Sequence, residues 1–226
     1  MKHELRHPLC EVNIERSKTY GGSQMFADSK NLREVGCGVV AAQELFIYLC
    51  RYHGGQGSDS VRALAEKETV SPQDYVECSE DLRRKYFPLI PKLGVNGISL
   101  VLGINAYFAL HKMPFRADWE ITEGGLIGGM EKLLEDDMPV IMAVGPNFPK
   151  MWKKNDFQLY IKNAAGEYVP DAKVRGHYVL AAAIDGGWIR ISSWGSKYYI
   201  NIGEYKDYVS AYSSYLVSNY VRIRRR

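Results

Sequence analysis

Cys37 stands between Gly36 and Gly38 at the head of the mostly apolar run from Val39 to Leu49. A thiol in the first turn of a helix sits at the positive end of the dipole, beside backbone N–H groups that lack an intrahelical acceptor, and both favour the thiolate. The small neighbours leave the sulfur open to a substrate. Far downstream, Gly176-His177 opens the apolar stretch from Tyr178 to Ile184, and Ser192-Ser193-Trp194-Gly195 follows closely. A cysteine starting a helix and a histidine starting a strand are the parts of nucleophilic thiol catalysis, provided the fold brings them together. The backbone N–H of Cys37 is itself a natural donor to a developing oxyanion.

The other thiols and imidazoles read differently. Cys50 and Cys78 lie inside helical patterns, as small buried residues do, and Cys10 falls in an N-terminal arm. His3 and His7 belong to that arm, while His53 and His111 close helices, so all four read as surface or capping residues. His177 alone has a backbone that a sheet would fix, which suits a general base that must hold its orientation.

The elements that must position this pair follow from periodicity and punctuation. The first thirty residues read as an extended arm with a turn at Tyr20-Gly21-Gly22-Ser23. A buried central helix starts near Cys37 and stops at Gly54-Gly55. Ser71-Pro72, with Asp74 behind it, starts a second helix running to about Tyr86. Ile98 to His111 and Leu126 to Leu134 supply two more.

From Pro139 onward the pattern changes to strands: Pro139 to Val144, Phe157 to Lys162, Tyr178 to Ile184, Trp188 to Ile191 and Tyr198 to Ile202. Helices first and antiparallel strands later predict an α+β chain. We read residues 1–226 as a single domain, with a helical part over about 30–137 and a sheet part over about 138–226. A groove between the two parts would carry Cys37 on one wall and His177 on the other.

The bulk numbers narrow the class. At 226 residues, with 46% apolar and 24% charged residues, the chain can bury a substantial core. A net charge of +3 does not argue for nucleic acid, and the arginines from Arg222 to Arg226 read as a solvated tail. No stretch approaches the roughly 18 apolar residues of a membrane span, and the polar N-terminus lacks a secretory signal core. Cys10, Cys37, Cys50 and Cys78 form no CxxC pair, which argues against structural disulfides and a zinc site. A reduced, cytoplasmic setting is expected, with no metal, no cofactor, no nucleic acid and no membrane as partner.

This ordered set resembles the papain-like cysteine peptidases, and most nearly the bacterial branch related to peptidases that trim double-glycine leader peptides. The resemblance covers most of the chain, from Cys37 to about Trp194. It implies a helical N-terminal lobe whose central helix packs on a C-terminal antiparallel sheet lobe. The separation of Cys37 and His177, roughly 140 residues, falls in the ~130–150 span of papain-type enzymes. Ser192-Ser193-Trp194-Gly195 is similar to the family's Asn-Ser-Trp-Gly, and Trp194 would then shield the histidine as the family's tryptophan does.

Two departures accompany the likeness. Ser192 occupies the place of the residue that orients the histidine, where the family carries a carboxamide or carboxylate; Asp185 or a water are alternatives. The family's oxyanion glutamine precedes its cysteine closely, whereas here Gln24 stands before an intervening loop from Met25 to Lys30. Asn31 is the other candidate.

The resemblance implies a Cys37–His177 thiolate–imidazolium pair that attacks a carbonyl, with Gln24 and the Cys37 N–H holding the oxyanion and a peptide or protein as substrate. Hydrolysis of a peptide or isopeptide bond is the leading reaction. Transglutaminase and acyltransferase chemistry use the same parts, and a binding module that has lost turnover is the rival from another class. No transporter segment or ATP-binding motif accompanies these residues, so a reaction coupled to export within this chain is not expected. The segments Gly54 to Asp59 and Asn147 to Asn155, the latter with Phe148, Met151 and Trp152, are candidates for setting substrate preference.

Overall fold

The computed structural model describes residues 2–15 and 17–226. The chain begins with short strands β1 (His3–Glu4), β2 (Glu11–Ile14) and β3 (Ser17–Lys18), then a 3₁₀ turn over Gln24–Phe26. Helices α1 (Lys30–Val35), α2 (Cys37–Tyr52) and α3 (Asp59–Ala65) follow. Strand β4 (Thr69–Val70) leads to α4 (Pro72–Tyr86), α5 (Gly97–Leu110), β5 (Phe115–Trp119) and α6 (Leu126–Glu135). The main run of strands is β6 (Val140–Val144), β7 (Phe157–Lys162), β8 (Tyr168–Val174), β9 (His177–Asp185), β10 (Trp188–Ser193) and β11 (Ser196–Asn201). Helix α7 (Ile202–Tyr212) and strand β12 (Tyr220–Arg225) close the chain. The fold is mixed α+β with a large antiparallel sheet.

Two compact units divide these elements. The helical unit comprises His7–Trp119, Ser193–Ser196 and Ile223–Arg226. Its centre is α2, where Val39, Ala42, Leu45, Phe46 and Leu49 are fully buried. Phe46 stacks on Tyr107 at 3.7 Å between ring centroids, and Phe87 and Phe108 flank it. Helix α4 starts as its sequence requires: the Ser71 Oγ accepts from Asp74 N at 3.1 Å, and Pro72 occupies the first turn.

The sheet unit comprises β1, Glu120–Ser192 and Lys197–Arg222. Its strands run in the order β12, β6, β9, β10, β11, β7, β8, and β1 pairs with the far end of β9. Strand β9 is buried at every position from Val179 to Ile184, which is why its sequence is continuously apolar rather than alternating. Helix α6 packs on this sheet through Leu126, Met130, Leu133 and Leu134, the spacing of one helical face. Helix α7 adds Tyr205 and Tyr208, whose hydroxyls donate to Ala143 O at 2.7 Å and Gly145 O at 3.0 Å.

Several elements depart from the sequence reading. The arginine tail is solvated only in part: Arg224, Arg225 and Arg226 are exposed, but Tyr220, Val221 and Ile223 are buried in β12, Arg222 pairs with Glu120 at 3.2 Å and Arg224 pairs with Asp118. Ile202 begins α7 rather than ending a strand, because Asn201 caps that helix by accepting from Glu204 N at 3.1 Å. Strand β8 carries Pro170, yet as the edge strand beside β7 it tolerates a missing donor. Among the described residues, no helix is long and apolar enough to cross a membrane.

Candidate active site

In the helical unit, Cys37 is the first residue of α2. Gly36 joins that helix to α1, its N–H donating to Leu32 O at 2.9 Å while its carbonyl accepts from Val40 N at 3.0 Å. A Cβ at position 36 would lie 2.3 Å from Leu32 O, so only glycine closes this joint. No acidic residue occupies the first turn of α2, so the positive helix terminus faces the half-buried thiol without an opposing charge from that turn. Gly36→Ala is expected to destabilise the chain by about 1–3 kcal/mol, the cost of an overpacked methyl group, and to displace Cys37. Denaturant unfolding and the alkylation rate of Cys37 check this together.

Gln24 is buried in the 3₁₀ turn, and its Nε2 donates to Arg33 O at 2.8 Å. Arg33 Nε in turn donates to Ala27 O at 2.9 Å, so the turn is stapled to α1 just before the Gly36 joint. The structure therefore holds Gln24 against the helix that leads into Cys37. Asn31, the alternative, is exposed on α1. One N–H of the Gln24 amide is used by Arg33 O.

The turn ahead of Gln24 is fixed by a residue that sequence reasoning passed over. Glu44 lies fully inside α2, and its Oε1 accepts from Gly22 N at 3.1 Å and from Tyr75 Oη at 2.9 Å. A Cβ on Gly22 would sit 1.9 Å from Tyr75 Cζ, so the turn and the tyrosine are in contact. Burial pushes the Glu44 carboxyl up to about 7, against the lowering effect of these hydrogen bonds. The signal was present in the sequence as a lone acid within an apolar helix.

Gly195 meets the same turn. Its N–H donates to Gly22 O at 3.0 Å, and its carbonyl accepts from Tyr20 N at 2.8 Å. Trp194 and Gly195 both adopt positive φ, 50° and 75°, which makes the sharp corner that allows this pairing. Segments 20–24, 33–37 and 193–195, remote in sequence, thus belong to one hydrogen-bonded unit.

His177 and Ser192 lie in the sheet unit. His177 opens β9 after Gly176, whose φ of 63° suits the turn, and it pairs across the ladder with Val144 of β6. Burial lowers its imidazole to about 4, so the ring is neutral at ordinary pH. Ser192 is buried on the neighbouring strand β10, opposite Leu180. Asp185, the other candidate orienter, is exposed at the opposite end of β9, roughly 26 Å along the strand at ~3.3 Å per residue. It cannot orient His177. The four-residue motif divides between the units: Ser192 closes the sheet side, and Ser193–Ser196 belong to the helical unit.

The remaining thiols and imidazoles have structural contacts. Burial pushes the Cys50 thiol up to about 11, Cys78 up to about 12 and Cys10 higher still. His3 Nδ1 meets Glu135 at 2.8 Å, His7 stacks on Tyr52 at 4.2 Å, and His111 Nε2 shares a hydrogen bond of 2.9 Å with Tyr86 Oη. Among the described residues, no cluster of three or more histidine, cysteine or acidic side chains is placed to hold a metal ion. Compared with known proteins, the chain matches no family model, no curated protein and no solved structure.

Proposed function

We propose that this chain is a papain-like thiol hydrolase of a reducing, cytoplasmic compartment that cleaves a peptide or isopeptide bond with Cys37 as nucleophile and His177 as base. The observation that carries the reading is the clustering within the helical unit. Cys37 heads α2 at a glycine joint, Gln24 is stapled beside that joint, and Gly195 is bonded to the turn that holds Gln24.

In the proposed reaction the neutral His177 imidazole accepts the Cys37 proton as the sulfur attacks the substrate carbonyl carbon. A C–S bond forms and the carbonyl electron pair moves to oxygen, where the Cys37 N–H and the Gln24 amide donate to it. Collapse of this intermediate breaks the C–N bond, and the imidazolium returns its proton to the departing amine. Water then attacks the thioester, His177 takes its proton, the C–S bond breaks, and the acid is released with the thiol restored. A buried, neutral ring favours this concerted base over a preformed thiolate–imidazolium pair.

A second reading, a peptide-binding module of the same fold without turnover, is favoured by one observation. An imidazole held down to about 4 is a weak base, and serine replaces the carboxamide or carboxylate that would strengthen it. Incubation with a peptide library, including branched isopeptides, separates the two by mass spectrometry. Fragments with new termini from the wild type and none from Cys37→Ala support hydrolysis. Retention of peptides without fragments supports the binding module and rejects the hydrolase.

A further inference from the structure

Strand β6 ends at Val144, directly across from His177, and the chain then makes an excursion over residues 145–156 before entering β7 at Phe157. This loop is built on a firm base within the sheet unit. Asn147 is buried, donating from Nδ2 to Tyr208 Oη at 3.2 Å and accepting at Oδ1 from Asn155 N at 3.1 Å, which closes the loop on itself. Gly145 N donates to Ser218 Oγ at 3.1 Å, and Ser213 Oγ donates to Pro146 O at 2.7 Å. The exit is tied as well, because Asp156 pairs at 3.3 Å with Arg175, in the turn that leads into His177.

The tip contrasts with the base. Phe148, Met151 and Trp152 are 45%, 67% and 77% exposed, so a large part of their apolar surface is left to solvent. Lys153 and Lys154 beside them are exposed, and neither has an ion-pair partner among the described residues. Three large apolar side chains and two cations, held out on a braced loop, form a surface prepared for contact.

We propose that the tip of the 145–156 loop docks the substrate, and that it selects a peptide segment combining acidic with leucine-like or aromatic side chains. The inference deepens the proposed function, resting on His177 being the base of that reaction. Charge complementarity sets the acidic requirement, and the apolar triad sets the hydrophobic one. The loop springs from the strand end opposite His177, the residue proposed as base.

The test uses full-length Cys37→Ala protein, which cannot turn over, and fluorescence anisotropy with two fluorescein-labelled peptides. One is built of Ala, Glu, Leu and Phe, and the other replaces each Glu by Lys. The Glu peptide is expected to bind at least about tenfold more tightly, and Trp152→Ala or the pair Lys153→Glu and Lys154→Glu to weaken it about tenfold each. Equal binding of the two peptides, binding of neither, or indifference to Trp152→Ala overturns the proposal. Sedimentation with phosphatidylcholine–phosphatidylserine vesicles supplies the other arm. Vesicle binding that depends on Trp152 and is not displaced by the Glu peptide would assign the tip to an anionic membrane surface and overturn peptide docking. Hydrolysis by wild type without preference for Glu peptides sinks the docking surface alone. Docking with no hydrolysis sinks the reaction alone.

Discussion

Glu44→Gln is expected to make the protein more stable at pH 8, by up to roughly 3 kcal/mol, while changing little below pH 4.5. Burial raises the Glu44 carboxyl from 4.5 to about 7 in the folded chain. Between those values the unfolded state has already lost a proton that the folded state keeps. The stability is therefore fully present below 4.5 and is lost as pH rises through about 7. A difference near 2.5 pH units corresponds to roughly 3 kcal/mol, or about 6–12 °C in Tm for a chain of this size.

Glutamine keeps an acceptor for Gly22 N–H and Tyr75 Oη but carries no charge to desolvate. Oε2 of Glu44 is buried without a hydrogen-bond partner, and burial outweighs the hydrogen bonds and the Arg51 charge that favour the ionised form. Glu44→Ala should destabilise at every pH, because it leaves two donors unsatisfied and opens a cavity. His177 acts with the opposite sign: its folded value is lowered from 6.5 to about 4, so its contribution is present above 6.5 and lost as pH falls through 4. Thermal melts of wild type and Glu44→Gln from pH 4 to 8 isolate the glutamate. Parallel curves would contradict the assignment.

His177→Ala and Cys37→Ala are each expected to lower kcat/KM for a cleaved peptide by about 10⁴-fold, the scale on which such groups act as one unit. Ser192→Ala should cost less, since a short hydroxyl is a weaker orienter than a carboxylate. The wild-type profile carries a second signature. Because His177 titrates near 4, kcat/KM should hold down to about that pH and then fall roughly tenfold per pH unit as the ring becomes protonated. A His177→Ala variant within about tenfold of wild type would remove the imidazole from the mechanism.

Much of the scaffold was legible because its signals are local. Ser71-Pro72 announced α4, and Gly36 with Gly54 bracketed α2. The continuous apolar run of β9 read as a buried strand. What stayed hidden depends on distant partners. The alternation of Val221 and Ile223 with Arg222 and Arg224 is a strand pattern, but Glu120 and Asp118, which pair with those arginines, lie about a hundred residues away in the sequence. Pro170 hid β8, since edge position cannot be read from composition.

For the candidate site, the helix-start cysteine and strand-start histidine were visible as types and contexts. The staple from Gln24 to Arg33 and the pairing of Gly195 with Gly22 were not, because no local pattern encodes a contact between remote loops. Glu44 could have been found, since an acid in the middle of an apolar helix must have partners or a shifted proton affinity. Asp185 could likewise have been set aside, as the length of the strand between it and His177 forbids their meeting.

Assisted nucleophilicity at one thiol is tested most directly by locating the adduct of a peptide vinyl sulfone. A single modification is expected on Cys37, none on Cys10, Cys50 or Cys78, whose thiols burial keeps protonated, and its loss in folded His177→Ala protein. Label spread over several cysteines, or Cys37 modified equally well without the imidazole, would contradict it.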